Sequence, residues 1–167
     1  IASGDVDYIP LLEEIAKYKK PVVLSTGLSD NSRIKTATKI LKRNNLILLH
    51  CISSYPTKIS EANLNSIKYL QKEFNLEVGL SDHTSDYTSS LMSLSFGVRI
   101  IEKHFLPNHK IKNVGDYKLS LNPSKFLEFR KLINNGYLGL GKHEKKIFKN
   151  EKNFLKTLRR SLYFKKS

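Results

Sequence analysis

The sequence predicts an α/β fold on a parallel sheet, and three observations predict it. Apolar runs recur at intervals of roughly 20 to 32 residues: IASGD (1–5), PVVLSTG (21–27), LILLHC (46–51), LEVGLSDHT (76–84) and VRIIEKHF (98–105). The segments between them carry apolar residues at helical spacing, so strands alternate with crossover helices and must lie parallel. The runs are also nearly continuous in apolar character, as in strands covered on both faces, rather than alternating.

Each element follows from its residues. YIPLLEEIAKYKK (8–20) sets Ile9, Leu12 and Ile15 on one helix face, and NSRIKTATKILKRNN (31–45) does the same with Ile34, Ala37, Ile40 and Leu41. ANLNSIKYLQKEF (62–74) spaces Leu64, Ile67, Leu70 and Phe74 three or four apart. DYTSSLMSLSFG (86–97) is shorter, with Gly97 as the expected C-cap. Beyond Phe105 an irregular loop is expected over 106–123. SKFLEFRKLINNG (124–136) then forms a last amphipathic helix, with Ser124 as its N-cap and Gly136 ending it.

Two architectures place strands in parallel. An open doubly wound sheet gathers its ligand at one switch point, commonly with a Gly-rich phosphate turn, and neither G-x-G-x-x-G nor a Walker pattern occurs here. A TIM-type (β/α)₈ barrel lets every strand deliver a side chain at its carboxyl end. Ser3 and Asp5, Ser25, His50, Ser81 with His83, and Glu102 with His104 all take such positions, so the barrel is predicted. Only the end of one strand and four further strands are visible, whereas a barrel needs eight strands and about 250 residues. The expectation is therefore the second half of a barrel, from the end of strand 4 through strand and helix 8, over residues 1–140. A basic tail or linker, 141–167, follows. In a half barrel Val23, Leu48 and Ile100 should lose part of their burial, and the chain alone should aggregate or dimerise.

The charge of +14 is unevenly spread. Residues 141–167 hold ten Lys/Arg against two Glu, a net +8, which leaves +6 for the first 140 residues. A solvated tail explains this excess better than specific nucleic-acid recognition, and a basic nucleic-acid- or membrane-surface-binding module stands as the alternative. No run is long enough to span a bilayer, and the first residues lack the basic and apolar regions of a signal peptide. The single cysteine, Cys51, excludes an internal disulfide framework and fits a reducing, cytoplasmic setting.

His83 and His104 lie 21 residues apart, too far for a helical metal motif, yet at the ends of adjacent parallel strands their rings can converge. They read either as two hydrogen-bonded histidines or as two ligands of one divalent transition-metal ion. Ser3, Ser25 and Ser81 stand at strand ends near Gly4, Gly27 and Gly79, where backbone can approach an anion. Singly each serves as a turn or cap, and together they suit a phosphate cradle. Asp5 and Glu102 are placed for acid–base work or for supporting a ligand, and Asp82 to cap the following helix. Cys51 beside His50 reads as a buried thiol before it reads as a nucleophile pair.

Taken in order, IASGD, PVVLSTG, LLHCISSYP, GLSDHT, IIEKHF and the late RRSL resemble the motifs of the sialic acid synthase family, which makes N-acetylneuraminate and related nonulosonates. The likeness is collinear over nearly the whole chain. It implies condensation of phosphoenolpyruvate with an N-acetylated hexosamine in its aldehyde form, such as N-acetylmannosamine, with release of phosphate. It also implies a divalent cofactor, Mn²⁺ or Mg²⁺, held by His83 and His104, which polarises the aldehyde. Ser3, Ser25 and Ser81 then stand at phosphoenolpyruvate, Asp5 near the reacting centre, and Tyr55 and Asp116 at the sugar. Ser53 replaces an asparagine common in the family at the sugar side, and NVGD (113–116) replaces a Pro-Gly-Pro-Asp loop. In the full-length family RRSL leads into a small antifreeze-like domain that sends an arginine into the partner subunit's site, so a homodimer is expected. The lysine that precedes the first motif and the early strands lie outside this sequence, so turnover by this chain alone is not expected. Another metal-dependent barrel aldolase or isomerase would keep the histidines without requiring the six motifs in this order.

Overall fold

The structure, a computed structural model, describes residues 1–107 and 115–160. Its sheet has four strands, β1 (Val22–Ser25), β2 (Leu46–Cys51), β3 (Glu77–Asp82) and β4 (Ile101–Lys103), all parallel and in sequence order. Helices α1 (Ile9–Lys17), α2 (Asn31–Ile40), α3 (Asn65–Phe74) and α4 (Thr88–Ser93) alternate with them. The sheet curls as part of a barrel does. The first run contributes less than a strand: Ile1 brackets the edge of β1, its amine donating to the Val23 carbonyl at 2.7 Å and its carbonyl accepting from Ser25 N–H at 3.1 Å. The chain then turns through a 3₁₀ segment at Ser3–Asp5.

Strand alternation sorts the side chains into two faces. Val22, Leu24, Leu46, Leu48, Val78 and Leu80 point toward the helices and share one core with Leu12, Ile34, Ala37, Leu41, Ile67, Leu70 and Val98. Each fully buried leucine there contributes about 1.5–3 kcal/mol. On the opposite face Val23 and Ile100 remain 36% and 37% exposed, while Leu49 of the same face is fully buried. Leu48 does not behave so: it is fully buried, because the two-residue period places it with Leu46 and His50 on the helix side. His50 stands at the end of β2 but does not serve the strand mouths, since its Nε2–H donates to the Ala62 carbonyl at 2.8 Å within the helix layer.

Gly97 caps the α4 segment in the left-handed region, φ +85°, where glycine carries no Cβ penalty. The last long helix, α5, spans Pro123–Leu140 and differs from expectation at both ends. Asn122, not Ser124, is its N-cap, accepting from Lys125 N–H at 2.9 Å, with Pro123 at the first helical position. Gly136 lies inside the helix, where a Cβ would come within 2.5 Å of Leu91 Cδ1. It permits α5 to approach α4, and the helix ends one turn later against Gly141. Two short helices, α6 (Lys149–Lys152) and α7 (Leu155–Leu158), follow. Among the described residues no helix is long and apolar enough to cross a membrane.

Candidate functional site

The sheet register arranges the inner face in rows. Gly79 of β3 lies between Leu49 and Ile100, and the next row is Cys51, Ser81 and Glu102. One residue beyond the β3–β4 pair Asp82↔Lys103 stand His83 and His104, whose ring centroids are 5.0 Å apart at an interplanar angle of 69°. The loop after β2 folds over them. Thr57 N–H donates to the His83 carbonyl at 2.9 Å, and the Tyr55 ring lies 4.3 Å from that of His83 and 5.7 Å from that of His104. Tyr55, His83 and His104 thus form one cluster at the carboxyl ends of the strands.

His83 is anchored through Nδ1, and the Nδ1 of His104 faces a carboxylate. That of His83 donates to the Ile52 carbonyl at 2.8 Å and lies 3.8 Å from Cys51 Sγ. That of His104 lies 3.4 Å from Asp116 Oδ2. Burial pulls the His83 ring down, but the Cys51 sulfur, the Ile52 carbonyl and the Asp82 carboxylate outweigh it, and its pKa ends above the ordinary value. His104 ends below its ordinary value, through burial first and the neighbouring His83 second. Burial pushes the Cys51 thiol up, yet hydrogen bonding with His83, Ser3 and Ser81 brings it below the usual thiol range.

The hydroxyls form two groups. Ser3 Oγ accepts from Gly27 N–H at 3.0 Å, and a Cβ at Gly27 would collide with Ser53 Oγ and lie 2.8 Å from Ser3 Oγ. Ser53 Oγ is buried and acts on the Tyr55 phenol, whose pKa burial raises and the Ser53 hydroxyl lowers. Ser81 donates to Glu102 at 2.8 Å. Ser25 is buried at the end of β1, and neither its hydroxyl nor the Asp5 carboxylate makes a side-chain hydrogen bond among the described residues. Asp5 itself is half-buried in the 3₁₀ turn. Asp116 joins the cluster through His104.

One expectation is corrected here, one is borne out and one residue is new. Asp82 does not cap α4: its Oδ1 accepts from Thr84 N–H and Oγ1–H, both at 2.8 Å, while Asp86 takes the Thr88 amide. Cys51 is the buried thiol expected and does not pair with His50, because adjacent strand residues face opposite sides; the thiol meets His83 instead. Lys103, which the sequence did not single out, is fully buried and bonded to Asp82. A signal for it existed: a lysine one residue before a strand-end histidine must point away from the site, and there it needs a partner. A cavity of about 340 Å³ between α5 and the sheet, lined by Leu94, Val98, Phe126, Phe129 and Tyr137, lies on the helix side and away from this cluster.

Whether the histidines suit a metal is a question of donor chemistry. Metal-ligating histidines use one nitrogen for the ion and donate the other N–H to a carbonyl or carboxylate, and Ile52 and Asp116 supply such partners. Rings 5.0 Å apart are within the span of a single divalent ion. Among the described residues no group of three or more His, Cys, Asp or Glu is placed to hold an ion. The two imidazoles by themselves have the donor chemistry of a two-ligand site whose other coordination positions are open.

A curled parallel sheet with polar side chains gathered at its carboxyl ends defines a barrel-type α/β protein with its site at the strand mouths. The chain belongs to the NeuB family, whose model matches residues 1–145. It is similar to the N,N'-diacetyllegionaminic acid synthase of Campylobacter jejuni, 36% identical over 171 residues that cover 99% of this chain and 51% of that protein. It is likewise similar to the pseudaminic acid synthase of the same organism, 36% identical over 176 residues that cover 99% of this chain and 49% of that protein. Among solved structures it resembles the N-acetylneuraminic acid synthetase of Leptospira borgpetersenii in complex with citrate, with a TM-score of 0.82 and 32% identity, over 96% of this chain and 58% of that one. The chain spans about half the length of the curated relatives it matches.

Proposed function

We propose that this chain supplies the metal and part of the phosphoenolpyruvate and sugar sites of a nonulosonate synthase. The observation that carries this reading is the His83–His104–Tyr55 cluster at the ends of parallel strands. The reaction joins C3 of phosphoenolpyruvate to the aldehyde carbon of an N-acetylated hexosamine, whose oxygen takes up a proton. Water adds at C2, and phosphate leaves with the enol oxygen's bond to carbon, so a 2-keto acid results. A divalent cation, Mn²⁺ or Mg²⁺, held by His83 and His104 supplies Lewis-acid polarisation of a carbonyl oxygen. Ser3, Ser25 and Ser81 hydrogen-bond phosphoenolpyruvate, and Gly27 lets that anion approach the backbone closely. Asp5 stands near the reacting centre as a proton-handling group. Tyr55, Ser53 and Asp116 hold the sugar, with Asp116 also orienting His104.

In this reading residues 1–140 are the carboxyl-terminal half of the barrel and 141–167 a basic linker, and the assembled enzyme is a cytoplasmic homodimer. Turnover requires every group of the site to be held in place, since positioning errors of about 1 Å already cost a hundredfold in rate. Calorimetric titration of the chain with Mn²⁺, then with phosphoenolpyruvate, tests it. One Mn²⁺ per chain, lost in His83→Ala and in His104→Ala, is expected. A Mn²⁺ affinity unchanged by both substitutions overturns it. Binding that resides in residues 141–167 and weakens steeply with salt would favour the nucleic-acid or membrane-surface alternative instead.

A further inference from the structure

Directly behind the histidine pair lies a second pair with the same spacing. Asp82 and Lys103 each precede a site histidine by one residue, and they are register partners across β3 and β4. Strand alternation turns both away from the mouth and into the helix layer, where their side chains are 1% and 0% exposed. Lys103 Nζ donates to Asp82 Oδ2 at 3.1 Å, to the Thr84 carbonyl at 2.6 Å and to the Asp86 carbonyl at 3.0 Å. All three ammonium donors are thereby used. Asp82 accepts twice at Oδ1, from Thr84 N–H and Oγ1–H, and again at Oδ2 from Ser90 Oγ at 2.5 Å.

We infer that the buried Asp82–Lys103 pair positions the two site histidines relative to each other. β4 is only three residues long and β3 ends at Asp82, so the ladder between these two strands stops where the histidines begin. Beyond it the His83 carbonyl is held by Thr57 N–H and the His104 carbonyl by Leu121 N–H, bonds that tie each histidine to a different segment and not to the other. Lys103 carries the connection on. From β4 it grips the backbone on the far side of His83, at Thr84 and Asp86, while its own strand presents His104 one residue later. A shift of the β3–α4 loop against β4 must break several of these bonds at once. Because every donor and acceptor is engaged, no alternative pairing competes with this arrangement, which is the condition under which a buried polar network specifies one geometry. Asp82 and Lys103 touch neither substrate nor metal in this account; they are positioning residues.

The geometric claim stands on the contacts above, and its consequence for metal affinity rests on the proposed function. Both are tested on the full chain labelled with ¹⁵N-histidine. Lys103→Met, Asp82→Asn, the double Asp82→Asn/Lys103→Met and the milder Ser90→Ala are compared with wild type by Mn²⁺ titration and, without metal, by imidazole NMR. Variants that melt cooperatively should bind Mn²⁺ about tenfold or more weakly, the loss typical when groups orienting a ligand are removed. Their His83 and His104 ring signals should move, including the Nδ1–H that His83 donates to Ile52, while the His50 signals stay. Ser90→Ala should show the same pattern with a smaller amplitude. A purely structural role would lower the melting temperature yet leave affinity and ring signals of the folded molecules unchanged, and that result in any folded variant overturns the inference. A wild-type chain that takes up no Mn²⁺ would refute the proposed function, and the ring signals would then decide the positioning claim alone.

Discussion

Replacing Gly79 by alanine places a methyl group 2.6 Å from the Ile100 carbonyl oxygen and 2.6 Å from Leu49 Cδ2, with Ile100 Cβ at 3.2 Å. Leu49 can rotate away, but the carbonyl is backbone. Ordinary contact begins at 3.4 Å, so the edge of β4 must retreat by about 0.8 Å, an overpacking that costs about 1–3 kcal/mol. The same carbonyl accepts from Leu80 N–H at 3.0 Å, and weakening that ladder bond adds about 0.5–1.5 kcal/mol. The expected loss is about 2–4 kcal/mol, measured as a fall in the urea midpoint at constant slope. Gly139→Ala is the control: nothing lies within 4 Å of its Cβ position, and inside α5 it should be neutral or stabilise by up to about 1 kcal/mol. A Gly79→Ala chain as stable as wild type would refute the reasoning that β3 and β4 meet at closest approach here.

Further outcomes follow from the site and the core. Gly27→Ala should displace the Ser3 and Ser53 hydroxyls and weaken phosphoenolpyruvate binding by about tenfold, 1.4 kcal/mol, with Mn²⁺ affinity retained, as two-step calorimetry would show. Burial holds the His50 ring below its ordinary pKa, although its bond to Ala62 opposes this. The unfolded chain therefore takes the proton first as pH falls, so this contribution is complete above about pH 6.5 and is lost below it, at no more than about 1.4 kcal/mol per pH unit. Urea melts between pH 5 and 8 should show a steeper acid loss for wild type than for His50→Gln.

The order and direction of the strands were legible because continuous apolar runs and helical spacing are local properties of the chain. The meeting of His83 and His104 was legible too, since equal strand-end positions on neighbouring parallel strands bring side chains together. Leu48 was misplaced for the converse reason: in LILLHC both faces are apolar, so the pattern carries no phase, and only the register with β3 decides which residue looks inward. Ser124 and Gly136 are plausible cap residues by themselves. Asn122 took the cap because Pro123 fits the first helical turn, and the task of Gly136 depends on Leu91, some 45 residues earlier. The Asp82–Lys103 pair could not be read without register, because a buried charge shows its partner only once the strands are aligned.

The central claim is that His83 and His104 share one divalent ion. Anomalous diffraction from crystals of the full chain soaked in Mn²⁺ tests it most directly. The account predicts a single manganese peak in contact with both imidazoles and absent from His83→Ala crystals; well-ordered His83 and His104 with no manganese between them, at saturating Mn²⁺, would contradict it.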